Sequence, residues 1–127
     1  MKTILLITSL LFATLCACQQ KVPFQSVTPE EFATVIAQPE VQRLDVRTPA
    51  EYSEGHIAGS LNINVQNDAF AEMADSLLDK SHPVALYCRS GRRSKKAATL
   101  LTQKGYKVVE LGSGINGWQA AGMPVEE

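Results

Sequence analysis

Residues 24–127 alternate between helix-like and strand-like patterns of apolar positions. Two helix starts are indicated, because Thr28 and Thr48 are each followed directly by proline and, three residues on, by glutamate. The first helix then carries apolar residues at helical spacing, and the second is expected to end by Gly55. Short, largely apolar runs predict strands at residues 41–46, 83–87 and 108–111, with a further short strand at 61–63.

The order of these elements predicts an α/β fold. Two further helices are indicated by apolar residues that share one face, at Phe70, Met73, Ala74 and Leu77 and again at Ala97, Ala98 and Leu101. Strands that alternate with helices form a parallel β-sheet with helices on both faces. No internal repeat or long linker divides the segment, so we expect a single domain over residues 24–124.

The N-terminal segment has a different pattern. Lys2 precedes an apolar run over residues 4–15 that contains no charged residue, which is typical of an export signal. The run is too short to cross a bilayer, since a membrane-spanning helix needs roughly 20 residues. A buried N-terminal core helix is the alternative interpretation.

The end of this run, LCAC at residues 15–18, resembles the lipobox of bacterial lipoproteins. The resemblance implies that residues 1–17 are a lipoprotein signal peptide and that Cys18 is lipidated after cleavage. Several acyl chains on one cysteine hold a protein durably at a membrane. Residues 18–23 then comprise the lipidated cysteine and a short tether. We therefore expect a bacterial envelope protein that faces the periplasm. Gln19, rather than Asp, after the cysteine resembles the pattern of lipoproteins sorted to the outer membrane, which implies the outer rather than the inner membrane.

Composition and charge narrow the range of functions. The 127 residues include 12 basic and 13 acidic ones, so the net charge of −1 provides no long-range field for binding nucleic acid. Of the three cysteines, Cys16 leaves with the signal peptide and Cys18 carries lipid, which leaves Cys88 as the free thiol. An intramolecular disulfide is thereby excluded, and an unpaired thiol in an exported protein is a candidate reactive group.

The segment around Cys88 gives the strongest indication of chemistry. It follows the predicted strand at 83–87 and precedes a helix expected to begin near Ser94 or Lys95, and helix N-termini in this position bind anions. Five of the 12 basic residues lie at positions 89–96, and their charge favours the nucleophilic thiolate. We therefore expect Cys88 to be a catalytic nucleophile within an anion-binding loop of Arg89, Ser90, Gly91, Arg92, Arg93 and Ser94.

Within this loop, Gly91 is expected to let the chain curl so that successive N–H groups converge on one point. The alternative is a buried structural cysteine beside a solvated basic helix face. Three arginines within five residues of Cys88 favour the reactive interpretation. Neither histidine has cysteines or carboxylates clustered around it, so we expect no metal site and no cofactor.

Three separate segments together resemble the rhodanese homology domain in its single-domain sulfurtransferase form. The CRSGRRS sequence of residues 88–94 is similar to the active-site loop of that family. The LDVR sequence at 44–47, with EY at 51–52 and GHIAGSLNI at 55–63, matches its N-terminal motif. Its C-terminal motif is matched by Leu111, Gly114, Ile115, Gly117 and Trp118.

The resemblance covers about residues 24–124 and departs from the family pattern at one position. The family usually has paired glycines before the isoleucine, and Ser113 replaces the first of them. This departure concerns the local turn more than the chemistry.

The resemblance implies a single rhodanese-like α/β domain that acts as a sulfurtransferase. The Cys88 thiolate would take a sulfane sulfur from thiosulfate or a similar small anionic donor and become a persulfide. It would then pass the sulfur to cyanide or to a thiol. Loop N–H groups would stabilise the persulfide, with no metal or organic cofactor needed.

Two other functions remain as alternatives. Dual-specificity phosphatases of similar fold place an arginine after the cysteine and five intervening residues, a position that Ser94 occupies here. Arg93 comes one residue too early, so the loop has the shorter form associated with sulfur transfer. The stronger rival is a non-catalytic persulfide carrier or binding module that serves a protein partner in the cell envelope.

Five residues outside the loop also carry predictions. Arg47 and Glu51, four positions apart at a helix start, are expected to form an ion pair, although Asp45 and Arg47 could instead support the active loop. We expect His56 to be a hydrogen-bonded turn residue, with a general-acid role as the alternative. Trp118 is expected to pack in the core under the last helix rather than to form a substrate platform.

Overall fold

A five-stranded parallel sheet organises residues 24–127, the part of the chain that the computed structural model describes. The strands are β1 (Gln25–Val27), β2 (Gln42–Asp45), β3 (Leu61–Asn62), β4 (Val84–Tyr87) and β5 (Val108–Leu111). Their order in the sheet is β1-β5-β4-β2-β3, which places β4 at the centre. The predicted signal peptide (1–17) and tether (18–23) lie outside the described residues.

Five helices connect the strands. They are α1 (Pro29–Ile36), α2 (Pro49–Glu54), α3 (Phe70–Leu77), α4 (Arg92–Gln103) and α5 (Gly114–Ala120). The predicted starts at Thr28 and Thr48 are confirmed, since each hydroxyl oxygen accepts a hydrogen bond from the N–H of the glutamate three residues on. Within residues 24–127, no helix has the length and apolar character that crossing a membrane requires.

Both faces of the sheet are buried, as the run without alternation in β4 predicted. On one face, Leu86 and Cys88 pack among residues of α3 and α4, and on the other Tyr87 packs with residues of α1 and α5. All four residues of β4 are buried. The predicted α/β architecture, a parallel sheet with helices on both faces, is therefore confirmed.

The structure corrects three details of the sequence-based expectations. Helix α4 begins at Arg92, earlier than the predicted start near Ser94 or Lys95. The residue before its first turn is Gly91, whose φ of 101° reverses the chain direction there without a side-chain cap. Leu77, expected on the apolar face of α3, is 53% exposed because it lies in the last turn, where the helix ends. Strand β1 was not predicted, since only one of its three residues is buried and it pairs with β5 alone.

The parallel arrangement decides where the chain can form a site. All carboxyl ends of the strands lie at one edge of the sheet, so the segments that follow β2, β4 and β5 meet there. Cys88 directly follows the central strand β4 at this edge. Strand β1 begins with Gln25, at the opposite end of the strands from this edge.

Candidate active site

The Cys88 sulfur lies under a tight curl of the chain. The residue is 1% exposed, and the N–H of Gly91 donates a hydrogen bond to Sγ at 3.0 Å. The backbone N–H groups of Ser90 and Ser94 also lie close enough to the sulfur to lower the pKa of Cys88. N–H groups of three residues therefore face one sulfur atom, as expected for a loop that contains Gly91.

Gly91 makes this curl because no other residue fits there. Its φ of 101° is in the left-handed region, and a Cβ at this position would overlap the carbonyl oxygen of Gly112, just beyond β5. A side chain at position 91 would thus push the loop away from the end of β5. The position of the three N–H donors depends on this close approach.

The first turn of α5 holds the other side of the loop. The N–H of Ile115 donates to the Cys88 carbonyl at 2.9 Å, and the N–H of Asn116 donates to the Arg89 carbonyl at 3.0 Å. Gly114 has a φ of 64°, and a Cβ on it would overlap the Arg89 carbonyl. Ser113 has a φ of −92°, a conformation open to any residue, so the unusual serine does not strain the turn.

Hydrogen bonds lower the pKa of the Cys88 thiol below its usual value. Burial opposes ionisation, but the hydrogen bonds that a thiolate could accept from the Ser94 hydroxyl and from the N–H groups of Ser94, Gly91 and Ser90 together outweigh it. The thiolate is thus favoured mainly by neutral donors, whereas the sequence suggested the arginines. This environment suits a nucleophilic sulfur.

Behind the loop lies a buried carboxylate that sequence reasoning missed. Glu110 of β5 is fully buried, and the Ser94 hydroxyl donates to its Oε2 at 2.5 Å. The Ser26 hydroxyl donates to Oε1 at 2.5 Å, and Lys95 Nζ lies 3.3 Å from both oxygens. The one available signal was a charged residue inside an otherwise apolar strand, which indicates a paired buried group.

Arg93 is bound to a carboxylate of another element. Its guanidinium donates two hydrogen bonds to Glu51 of α2, at 2.6 and 2.8 Å. The hydrogen bond from Arg93 lowers the pKa of Glu51 to about 2, against a smaller opposing effect of burial. Arg93, expected in the anion-binding loop, therefore ties the start of α4 to α2.

The predicted ion pair between Arg47 and Glu51 is wrong. Arg47 instead pairs with Asp45, with Nη2 2.6 Å from Oδ2, and the same Nη2 donates to the Gly55 carbonyl. The partner of Glu51 is Arg93, because the side chain of Glu51 points toward the start of α4. Arg47 lies before the N-cap Thr48 and is not part of α2, so a spacing of four residues does not place it on the same helix face as Glu51.

Asp45 and Arg47 brace the connection between β2 and α2. Both are buried, and Asn62 adds side-chain hydrogen bonds to their two carbonyl oxygens. Among the hydrogen bonds of residues 24–127, none joins the side chain of Asp45 or Arg47 to residues 88–94. Any support they give to the active loop is therefore through the neighbouring strands.

Cationic side chains surround the outside of the loop. Arg89 and Arg92 are exposed, and neither side chain has an ion pair within the described part of the chain. A cavity of about 490 Å³ is lined by Gln66, Ser90, Arg92, Arg93 and Lys96. A smaller cavity of about 200 Å³ includes Arg47, Arg89 and Asn116 in its lining. Of the described residues, those that line the larger cavity include no carboxylate, so it favours an anionic ligand, whereas Glu51 and Glu54 offset the two arginines of the smaller one.

Outside the loop, one prediction is confirmed in part and another in full. His56 is hydrogen-bonded as expected, with Nδ1 2.9 Å from the Tyr52 carbonyl oxygen, but it lies in an antiparallel β-bridge with Glu126 rather than in a turn. Trp118 is 3% exposed, packs edge-on against Phe32 and donates to the Pro124 carbonyl, which makes it a core residue. Residues 24–127 contain no group of three metal-ligating side chains.

Comparison with known proteins gives one consistent family. The family described as "Rhodanese-like domain" matches residues 28–121. The chain is 37% identical over 87 residues to a sulfurtransferase of Allochromatium vinosum, covering 68% of this chain and 78% of that protein. It is 33% identical to the thiosulfate sulfurtransferase GlpE of Actinobacillus succinogenes, covering 81% of this chain and 91% of that one.

Solved structures give the same result for the fold. A rhodanese-related protein of Thermoplasma volcanium has a TM-score of 0.70 and 30% identity, covering 81% of this chain and 98% of that one. A rhodanese-like domain from Anabaena has a TM-score of 0.71 and 28% identity, covering 80% and 77%.

The role of Gly91 can be tested against a matched glycine. Gly105 has a nearly equal φ of 96° but no neighbouring atom within 4 Å of a Cβ. Gly105→Ala should cost about 1 kcal/mol of unfolding free energy, from the left-handed backbone alone. Gly91→Ala should cost roughly 2–3 kcal/mol, because the loop must also move away from Gly112. Urea unfolding gives both values, and equal losses would show that the close approach is unimportant.

The Arg93–Glu51 pair predicts a specific acid sensitivity. The pKa of Glu51 falls from its usual 4.5 to about 2 on folding, so the carboxylate stabilises the fold above pH 4.5 and this contribution is lost as the pH falls toward 2. Glu51→Gln should therefore be less stable than wild type at pH 7, with the difference narrowing between pH 4.5 and 2. Urea midpoints across this range provide the measurement. Glu54→Gln, on the exposed side of the same helix, should show no such narrowing.

Proposed function

This chain belongs to the rhodanese-like domain family, whose relatives named above are sulfurtransferases, and we propose that it moves a sulfane sulfur through a persulfide on Cys88. The donor is thiosulfate or a similar small anion, and the acceptor is cyanide or a thiol. The observation that carries the proposal is the convergence of three backbone N–H groups on the Cys88 sulfur.

In the first step the Cys88 thiolate attacks the outer sulfur of thiosulfate. A new S–S bond forms to Cys88, the S–S bond of thiosulfate breaks, and sulfite leaves with the electron pair. One negative charge on the protein and two on the donor become one on the persulfide and two on sulfite. The step therefore needs no proton, oxidant or metal.

In the second step the acceptor attacks the terminal sulfur of the persulfide. Cyanide leaves as thiocyanate, or a thiolate leaves as its own persulfide, and the electron pair of the broken S–S bond restores the Cys88 thiolate. The terminal sulfur carries negative charge between the two steps. The backbone N–H groups that face Cys88 Sγ would be neighbours of this terminal sulfur, and their presence supports an anionic intermediate held on the loop.

An anionic donor also suits the surroundings of the loop. We assign donor binding to the backbone N–H groups of residues 89–94 and to the exposed cations Arg92 and Lys96, which line the larger cavity. Arg89 adds charge on the side of the smaller cavity. Arg93 contributes indirectly, because its pairing with Glu51 fixes the first turn of α4.

The proposal is tested by measuring thiocyanate formation from thiosulfate and cyanide with residues 19–127. We expect turnover by wild type, a mass increase of one sulfur on the Cys88 peptide after thiosulfate alone, and loss of both in Cys88→Ser. A stable persulfide without turnover would instead favour a carrier that serves a protein partner. Absence of any persulfide would contradict sulfur transfer, and a parallel phosphatase assay should show no activity.

We also propose that the mature protein is anchored through lipid on Cys18 at the periplasmic side of a bacterial membrane, the outer one in particular. The fold is compatible with this attachment, because the chain enters β1 at the sheet edge opposite Cys88.

Anchoring is tested by metabolic labelling with a palmitate analogue in a bacterial host. Wild type should incorporate the label, and Cys18→Ser should not, because the acylated sulfur is absent. Cys16→Ser provides the matched control, since it changes a cysteine that leaves with the signal peptide, and it should keep the label. Labelling of Cys18→Ser, or its absence from wild type, would contradict the proposal.

A further inference from the structure

Glu110 is the buried ionisable group that the proposed reaction does not use. Its carboxylate is fully buried behind the active loop and accepts hydrogen bonds from Ser26 and Ser94. Burial of a carboxylate is costly unless it is paired, and only one cation, Lys95, approaches it within the described residues. Only the Ser94 hydroxyl separates this carboxylate from the Cys88 sulfur, so the buried charge is placed where it can affect the sulfur.

The Ser94 hydroxyl stands between two acceptors. It lies 2.5 Å from Glu110 Oε2 and 3.3 Å from Cys88 Sγ, and it has a single proton to donate. In the structure the hydroxyl donates to Glu110, and the Cys88 thiol donates to the hydroxyl oxygen. This arrangement suits a protonated sulfur. A thiolate has no proton and can only accept, so it needs the proton that Glu110 holds.

We propose that Glu110 and the Cys88 sulfur compete for the proton of the Ser94 hydroxyl, which makes Glu110 a positioning residue that disfavours the free thiolate. The effect of Glu110 is opposite to that of the loop N–H groups, which favour the thiolate. The Cys88 thiolate therefore has a higher free energy than it would have without Glu110, and its sulfur is correspondingly more nucleophilic.

A second consequence rests on the proposed function. In a Cys88 persulfide, the negative charge lies on the outer sulfur, and the inner Sγ is an uncharged member of an S–S bond. The uncharged inner sulfur is a weak hydrogen-bond acceptor, so the Ser94 hydroxyl continues to donate its proton to Glu110. Glu110 therefore disfavours the empty thiolate more than the loaded persulfide, and it shifts the loading equilibrium toward the persulfide.

The other charged groups around Cys88 modulate this competition. Lys95 of α4 neutralises part of the charge on Glu110, and its side chain is half-exposed. Arg93 of α4 attracts a thiolate but is paired with Glu51 of α2. Helix α5 carries no titratable residue, and β1 contributes the uncharged Ser26. Glu110 is therefore the anion that reaches the sulfur through a hydrogen bond.

The test follows iodoacetamide alkylation of Cys88 in the full chain against pH, with the Cys88 peptide quantified by mass spectrometry. Glu110→Gln keeps the size of the side chain and removes its charge. We expect the inflection of the profile to fall by about one pH unit, because the Ser94 proton becomes available to the thiolate. An unchanged or higher inflection would overturn the proposal.

The path through Ser94 is tested by a double-mutant cycle. In a Ser94→Ala background, Glu110→Gln should move the inflection by less than half as much, because the shared hydroxyl is absent. A full shift in that background would show that Glu110 acts on the sulfur through space, and would overturn the competition. Ser26→Ala, which removes a hydrogen bond to the other carboxylate oxygen, should raise the inflection rather than lower it, because Glu110 then accepts the Ser94 proton more strongly.

A second variant keeps the test decisive if Glu110→Gln does not fold. Lys95→Gln removes the half-exposed cation and should raise the inflection, because it leaves the Glu110 charge uncompensated. This rise should shrink in the Ser94→Ala background, and a rise of equal size there would overturn the proposal.

The loading equilibrium separates this proposal from the proposed function. At a fixed ratio of thiosulfate to sulfite, the persulfidated fraction of Glu110→Gln should be several-fold lower than that of wild type. An equal or higher fraction would contradict the effect on loading. If wild type forms no persulfide, the proposed function fails, and the alkylation profiles still decide whether Glu110 controls the Cys88 proton.

Discussion

The contact between Gly91 and the carbonyl of Gly112 is the constraint on which the rest of the site depends. It allows the chain after β4 to turn back on itself, so that N–H groups face the Cys88 sulfur. The same contact brings α4 against the end of β5, and this puts Ser94 beside Glu110. The first turn of α5 then locks the loop from the other side by binding the carbonyls of Cys88 and Arg89. A backbone fixed in this way presents donors that need no rearrangement when charge develops.

Charge pairing divides the basic residues around the loop into two groups. Arg93 and Lys95 are bound to carboxylates of other elements and act as structural ties. Arg89, Arg92 and Lys96 remain on the outer surface, where they border the two cavities. A buried or half-buried cation is stable only with a partner, whereas a solvated one is free to attract an anion. The inner pairs therefore fix the orientation of the elements, and the outer residues are available to attract an anion.

Much of the fold could be predicted from local signals. The capping residues Thr28 and Thr48 and the apolar run of β4 give the right elements, because each depends on contacts within a few residues of the chain. The loop around Cys88 could be found for the same reason, since a strand, a glycine and a basic helix start follow one another directly. Strand β1 escaped prediction because its three residues form a strand only by pairing with β5, far along the chain. The start of α4 was misplaced because a left-handed glycine, rather than a side-chain cap, begins it.

The sequence by itself therefore determined the α/β class, the position of Cys88 at the end of a buried strand, and the family to which the chain belongs. Tertiary structure alone decided which charges meet. Arg93 binds Glu51, 42 residues away, instead of the pairing of Arg47 with Glu51 that local spacing suggested. Glu110 meets Ser94 because β5 lies beside β4 in the sheet. Each of these pairs joins side chains of two separate elements. The local sequence of one element does not specify which side chains of another element pack against it, so these pairs could not be read from the sequence.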